Sequence, residues 1–188
     1  MAADPKLTLA MALIRAQARP SELDGMARFG LTGKGRLGLS VPAMRQIAKQ
    51  LGRDHALAQA LWDTAIPDAR IVASLVAKPE AFSMRQMNAW AKDFAAWDVC
   101  DQVCQNAFSA SSLAWGRVHA WHMSKHEFVR RAAFALLAVL AVHDKHASDQ
   151  TFLLALTLIT PASSDDRNFV KKAVNWALRT IGKRSTNL

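Results

Sequence analysis

Helical periodicity runs through almost the whole chain and leaves little room for β-strands. Apolar side chains recur at spacings of three and four residues, which is typical of amphipathic α-helices. Tyrosine is absent, and few β-branched clusters alternate with polar residues. The pattern predicts helices over residues 6–17, 22–28, 41–51, 54–64, 67–77, 83–94, 98–108, 113–122, 127–142, 149–158 and 165–181. The predicted fold class is therefore all-α.

The helix starts and lengths indicate short helices joined by tight connections. Pro42 and Pro67 suit a first helical turn, and Ser83, Ser148 and Ser164 are candidate N-caps. Helix pairs that recur about every 40 residues fit a HEAT-like repeat, an α-solenoid whose curvature creates a concave surface. We expect a single domain over residues 1–188. A compact helical bundle without repeats is the alternative.

The charge of the chain favours a polyanionic partner. The formal net charge is +9 and the sequence pI is about 10.2. Nucleic acid is the commonest partner of a positively charged surface, although a membrane surface or an acidic protein would be attracted equally well. The glycine-rich stretch at residues 30–38 carries Lys34 and Arg36, but no strand precedes it and it lacks the Walker pattern of a nucleotide-binding loop.

Cysteine spacing and hydropathy indicate a cytoplasmic protein. Cys100 and Cys104 lie four residues apart, which suits one helix face in a reducing compartment better than a disulfide framework. The first twenty residues lack the layout of a cleaved signal. The longest uncharged apolar run, residues 132–142, is too short to span a bilayer, so we interpret it as a buried core helix with no membrane partner.

The last predicted helix combines an apolar face with a basic one. A helical projection centred on Val174 puts four more apolar residues within about 60° of it: Val170, Ala177, Leu178 and Ile181. The opposite side carries Lys172, Trp176, Arg179 and Lys183. A tryptophan within a basic face can contact bases or sugars while the cations contact phosphates. Alternatively, Trp176 packs against a neighbouring helix and the cations are solvated.

Two further clusters carry candidate site residues. Trp97 and Asp101 are four apart, so they neighbour each other at the edge of an apolar helix face. Arg130 is predicted to point to solvent, and Arg131 to lie at the margin of the core, where it could hold a phosphate or a carboxylate. The alternatives are a core tryptophan beside a helix-start carboxylate, and a structural salt bridge at Arg131.

Three histidines could share a helix face, but we expect no metal and no cofactor. His119, His122 and His126 have spacings that zinc ligands use. A loop near Ser124 is predicted to break that helix, and no partners that would orient the rings are apparent.

Six segments together resemble the bacterial HEAT-like DNA alkylation repair proteins, the alkylpurine DNA glycosylases of that fold. The matching stretches, in the family's order, are 26–30, 37–49, 61–74, 97–101, 128–134 and 168–179. The resemblance assigns the family's catalytic positions to Trp97, Asp101, Arg131 and Trp176. Phe29 stands where the family has a tyrosine, so a hydroxyl is missing there.

The resemblance implies a monofunctional glycosylase that excises cationic N3- or N7-alkylated purines from double-stranded DNA. Asp101 would stabilise the sugar cation, Trp97 and Trp176 would offer ring faces, and Arg131 would hold a phosphate. The expected DNA contacts are Phe29, Lys34, Arg36, Arg130, Lys172, Arg179 and Lys183. We expect a monomer. The alternatives are a DNA-binding scaffold without catalysis and a protein–protein adaptor.

Overall fold

The computed structural model describes residues 4–185, and these residues form eleven α-helices and no strand. The helices are α1 Pro5–Ala16, α2 Leu23–Arg28, α3 Val41–Leu51, α4 His55–Asp63, α5 Pro67–Val76, α6 Met84–Lys92, α7 Trp97–Asn106, α8 Ala114–Trp121, α9 Glu127–His143, α10 Asp149–Ile159 and α11 Asn168–Ile181. The predicted all-α class is confirmed. The chain divides into two compact units, one up to Phe82 and one from Ser83 onward. A single domain over residues 1–188 stays a prediction.

Most helix starts follow local capping rules. The hydroxyls of Ser83 and Ser148 accept hydrogen bonds from backbone N–H groups three residues later, so both predicted N-caps are confirmed. Pro42 and Pro67 lie in the first turns of α3 and α5, as predicted. Ser164 is not an N-cap, because its hydroxyl donates to the Pro161 carbonyl and α11 begins later.

In the first unit, a buried carboxylate organises the glycine-rich loop. Asp68 of α5 is 1% exposed, and its two oxygens accept the N–H groups of Leu37 and Leu39, each at 2.8 Å. Gly38 has φ 81°, and a Cβ there would lie 2.4 Å from the Arg19 carbonyl oxygen. The two hydrogen bonds hold the loop against α5, and the close approach of the Arg19 carbonyl leaves room only for glycine at position 38.

In the second unit, α9 forms the centre of the core. Residues 132–141 are at most 3% exposed, and α6, α7, α8 and α11 all pack against the helix. The interpretation of this apolar run as a buried core helix is confirmed. A helix that is apolar around its whole circumference needs neighbours on every side. Within residues 4–185, no helix combines the length and apolarity needed to cross a membrane.

The two cysteines point from α7 towards α9. Both are buried and free, and their Sγ atoms lie 3.8 Å from the Phe128 carbonyl (Cys100) and 3.6 Å from the Ala132 carbonyl (Cys104). The predicted shared helix face is confirmed. Burial raises the pKa of the Cys100 thiol well above its ordinary value, so this sulfur stays protonated and packs as a small apolar group.

The burial of α9 makes its leucines sensitive to truncation. Leu136→Ala should lower the free energy of unfolding by about 2–5 kcal/mol, because the cavity cannot fully collapse. Leu154→Ala is the matched control: Leu154 is 59% exposed, and its truncation should change stability by less than about 0.5 kcal/mol. Urea unfolding followed by circular dichroism measures both. Equal losses would contradict the placement of α9 at the centre.

Candidate functional site

A bidentate ion pair joins α7 to α9. The Arg131 Nε donates to Asp101 Oδ1 at 2.9 Å, and Arg131 Nη2 donates to Asp101 Oδ2 at 2.7 Å. The side chains are only 6% (Arg131) and 17% (Asp101) exposed. This parallel arrangement of two charge-assisted bonds fixes the plane of the carboxylate as well as its distance.

Arg131 also reaches α11 and Trp97. Its Nη1 donates to the Phe169 carbonyl at 2.6 Å, and its guanidinium carbon lies 6.0 Å from the centre of the Trp97 ring. Trp97, Asp101 and Arg131 are therefore brought together, as the sequence predicts. The expected phosphate contact of Arg131 is not supported, because three of its N–H groups are engaged and the side chain is buried. The alternative for Arg131, a structural salt bridge, describes its surroundings correctly.

Burial and pairing act in opposite directions on this ion pair. Burial raises the pKa of Asp101, and the hydrogen bonds and charge of Arg131 oppose that rise. Burial lowers the pKa of Arg131, but the hydrogen bonds and charge of Asp101 outweigh burial and raise it. The bidentate geometry favours the charged form of both groups, since either partner alone would be an unpaired charge in a poorly solvated place.

A second charged cluster sets the start of α11. Asp165 accepts hydrogen bonds from the Nε (2.9 Å) and Nη2 (2.6 Å) of Arg167, and Arg130 Nη1 lies 2.8 Å from its Oδ2. Arg167 Nη1 continues to the carbonyl of Lys125, just before α9. The turn before α11 is thus tied to the N-terminal end of α9, and α11 begins at Asn168, three residues after the predicted start.

Arg130 does not point to solvent as predicted. Its side chain is 18% exposed and is paired with Asp165. The projection of α9 alone could not show this, because the partner comes from a turn that is distant in the sequence. This pairing does not support the assignment of Arg130 as a DNA contact.

One groove on α11 gathers the predicted basic residues. It has a volume of about 420 Å³ and is lined by Lys172, Asn175, Trp176, Arg179, Thr180 and Lys183. Trp176 is half-buried, whereas the three cations are exposed. The helical projection thus placed these four side chains on one face correctly, although Leu178, expected inward, is 48% exposed. DNA contact by this face stays a prediction.

The ion pair contacts the first turn of α11, and the groove follows further along the same helix. Phe169, whose carbonyl accepts from Arg131, and Trp176 are seven residues apart, which is two helical turns or roughly 10 Å along the axis. The half-buried Phe169 ring also contacts the Phe128 ring, with centroids 5.4 Å apart. Sequence reasoning missed this aromatic pair; its signal was Phe128, two residues before Arg130, and Phe169 at the start of the basic helix.

The predicted contacts in the first unit have different surroundings. Phe29, at the C-terminal end of α2, is 74% exposed, and Lys34 is exposed in the glycine-rich loop. Arg36 is buried, with 8% exposure, and this burial does not support its assignment as a DNA contact. The loop turns its side chain inward next to the segment that Asp68 holds.

The family model described as DNA alkylation repair enzyme matches residues 10–188. The chain belongs to the DNA alkylation repair enzyme family. A solved structure described as a new family of proteins related to the HEAT-like repeat DNA glycosylases with affinity for branched DNA structures is similar in fold. It aligns with a TM-score of 0.82 at 22% identity, over 93% of this chain and 75% of that one. No curated protein matches this member of the family.

These comparisons confirm the HEAT-like helical fold that the helix pairs predict. At this level of identity, the structural likeness concerns the fold alone. The roles of the individual site residues stay predictions.

The Asp165 cluster should make the second unit sensitive to acid. The side chain of Arg167 lowers the pKa of Asp165 from 3.8 to about 2. A depressed folded-state pKa contributes stability above about pH 4, and that contribution is lost as the pH falls towards 2. Asp165→Asn should therefore reduce the loss of unfolding free energy between pH 5 and pH 3. Asp166→Asn, at an exposed neighbour, is the control. Identical acid sensitivity of the two variants, measured by urea unfolding, would refute this role.

Proposed function

We propose that this protein excises cationic N3- or N7-alkylated purines from double-stranded DNA by hydrolysing the N-glycosidic bond. The observation that carries the proposal is the meeting of Trp97, Asp101 and Arg131 beside the start of α11, whose groove holds Trp176 and three exposed cations. Membership of the DNA alkylation repair family supports the same reaction class.

The chemistry needs few protein groups. Alkylation at N3 or N7 gives the purine a positive charge, so the base leaves as a neutral molecule and no general acid is required. The bond pair moves to the purine, and the deoxyribose develops oxocarbenium character. Water then adds at C1′ and loses one proton. A carboxylate near the sugar stabilises the cation and orients that water.

Asp101 is suited to this role because Arg131 holds it in place. Each carboxylate oxygen has two acceptor positions, and Arg131 occupies one on each oxygen. The remaining positions are available to a water molecule, and 17% of the side chain is exposed. Arg131 is thus a positioning residue for the carboxylate. This role replaces the phosphate contact that the resemblance implied for Arg131.

The tryptophans supply ring faces for a cationic substrate. The Trp97 ring lies beside the guanidinium of Arg131, and Trp176 lies among Lys172, Arg179 and Lys183. An electron-rich indole attracts a cationic base or sugar, while neighbouring lysine and arginine side chains contact phosphates. This division, with the indole rings at the base or sugar and the cations at the phosphates, fits a duplex whose backbone follows α11.

DNA binding without catalysis is the second candidate. Arg131 neutralises much of the Asp101 charge, which weakens the electrostatic contribution that the sugar cation requires. The structurally similar protein is described as related to the glycosylases and as having affinity for branched DNA. Under this candidate the ion pair only fixes α7, α9 and α11, and the groove binds DNA.

Replacement of the carboxylate separates the two candidates. Asp101→Asn should lower the rate of alkylpurine release from methylated duplex DNA by roughly 10²–10³, because the charge opposite the sugar is removed while the shape is kept. DNA affinity should stay within about twofold, since no backbone contact is lost. Single-turnover release of 7-methylguanine measures the rate, and circular dichroism checks folding.

Asp93→Asn is the control, because it changes the net charge equally at an exposed position of the same unit. It should release base at the parent rate. Unchanged excision by Asp101→Asn would refute the role of the carboxylate. If the parent protein binds the duplex but releases no base, the second candidate replaces the first.

The α11 groove should make DNA binding depend on salt. Neutralisation of phosphates releases counterions, so the double variant Lys172→Gln with Arg179→Gln should reduce the slope of log K against log salt by about 1.8 and weaken binding at low salt. Fluorescence anisotropy with an unmodified 20-base-pair duplex measures this slope. The control, Lys78→Gln with Lys145→Gln, removes two exposed charges outside the groove. Equal slopes in the two double variants would contradict a groove-specific contact.

A further inference from the structure

A second cavity in the same unit shares no lining residue with the ion pair or the α11 groove. It has a volume of about 390 Å³ and lies between α6, α8, the turn after α8 and the first residues of α9. Its lining includes Asn88, Lys92, Arg117, Trp121, Met123 and His126. None of its lining residues is acidic, and none belongs to the α11 groove.

A hydrogen-bond network fixes the polar wall of this cavity. The Oδ1 atom of Asn88 accepts from Trp121 Nε1 at 2.9 Å and from Arg117 Nη1 at 3.0 Å. Two donors on one atom establish that this atom is the amide oxygen. The Nδ2 group of Asn88 therefore presents its two N–H donors elsewhere, and it finds no acceptor among residues 4–185.

Arg117 has donors to spare and no carboxylate partner. Besides Asn88 it donates only to the Met84 sulfur, at 3.5 Å, and its buried Nε has no acceptor among the described residues. Its guanidinium carbon lies 6.0 Å from the centre of the Trp121 ring, which limits its movement. Neither Lys92 nor His126 forms an ion pair in the part of the chain that the structure describes. The wall thus offers many donors and very few acceptors.

Apart from Ser124, the remaining wall is apolar. Met123 is 75% exposed, and Ala120 and Val129 lie beside it in the lining. The cavity is larger than one oxyanion needs and falls within the range of small-ligand sites. A ligand that satisfies both walls has an anionic, acceptor-rich end and a flat or apolar body. A nucleotide unit has this combination.

We propose that this cavity binds one nucleotide of a single DNA strand, with its phosphate on Arg117, Lys92 and the Asn88 amide and its base or sugar against Met123. The site is separate from the α11 groove and takes no part in the hydrolysis of the glycosidic bond. It gives the protein a contact for a second DNA segment while α11 holds a duplex.

The test uses the full chain carrying Lys172→Gln and Arg179→Gln, so that the α11 groove contributes little. The probe is a fluorescent single-stranded oligonucleotide of eight thymidines, followed by anisotropy at low salt. Lys92→Gln, added to this background, should weaken binding roughly tenfold and reduce the salt slope by about 0.7, the value for one phosphate contact on a single strand. Lys125→Gln, at an exposed lysine of the neighbouring turn outside the cavity, should leave both unchanged.

Arg117→Lys tests the geometry of the wall. Lysine keeps the charge but loses the planar fork that holds Asn88 and a phosphate together, so affinity should fall by a similar factor at unchanged net charge. Thermal unfolding checks that Arg117→Lys folds. If this variant does not fold, Lys92→Gln, at an exposed position, still tests the site.

Competition distinguishes the sources of the phosphate. Unlabelled oligonucleotide should displace the probe far better than thymidine monophosphate, and inorganic phosphate should be weakest. Inorganic phosphate competing as well as the oligonucleotide would overturn the nucleotide assignment, and so would a phosphoserine peptide that competes better. Equal losses in Lys92→Gln and Lys125→Gln would overturn the site itself. Because base release is not measured, these outcomes are independent of the proposed glycosylase activity.

Discussion

The second unit depends on the need of α9 to be buried on all sides. Ten consecutive residues from Ala132 to Ala141 are almost completely inaccessible, and four other helices surround them. Arg130 and Arg131 directly precede this run in α9, so burial of the apolar residues places both arginines at the edge of the core. A guanidinium at such an edge needs acceptors within reach, because burial of an unpaired charge is costly. Asp165 and Asp101 meet that need.

The Asp101–Arg131 pair has consequences beyond stability. A buried ion pair is a weak source of net stabilisation, since desolvation offsets much of the attraction. Its bidentate form does define the orientation of one carboxylate relative to Trp97 and the first turn of α11. A carboxylate held in a fixed orientation can stabilise a nearby positive charge, and this stabilisation is strongest where water is scarce. The same ion pair partly neutralises the negative charge of Asp101. The glycosylase proposal requires that the remaining charge is sufficient, whereas DNA binding without catalysis does not.

The two basic surfaces of the second unit are built differently. The α11 groove presents exposed lysine and arginine side chains on one helix, an arrangement suited to a phosphate backbone and sensitive to salt. The cavity near Arg117 holds its donors in place through Asn88 and Trp121, and it adds an apolar wall. Mobile surface cations favour any polyanion, whereas fixed donors beside an apolar wall discriminate by shape.

Local information in the sequence was sufficient for the helices and for the faces they expose. The 3.6-residue period, the proline first turns and the Ser83 and Ser148 caps depend on neighbours in the chain, so α3, α5 and the basic side of α11 were predictable. The proximity of Trp97 to Asp101 follows from the same period. Tertiary structure alone decided the partners of Arg130 and Arg131, because each partner comes from another part of the chain. The burial of Arg36 was equally invisible in the sequence pattern. A helical projection shows which way a side chain points, and only the packed fold shows what meets it there.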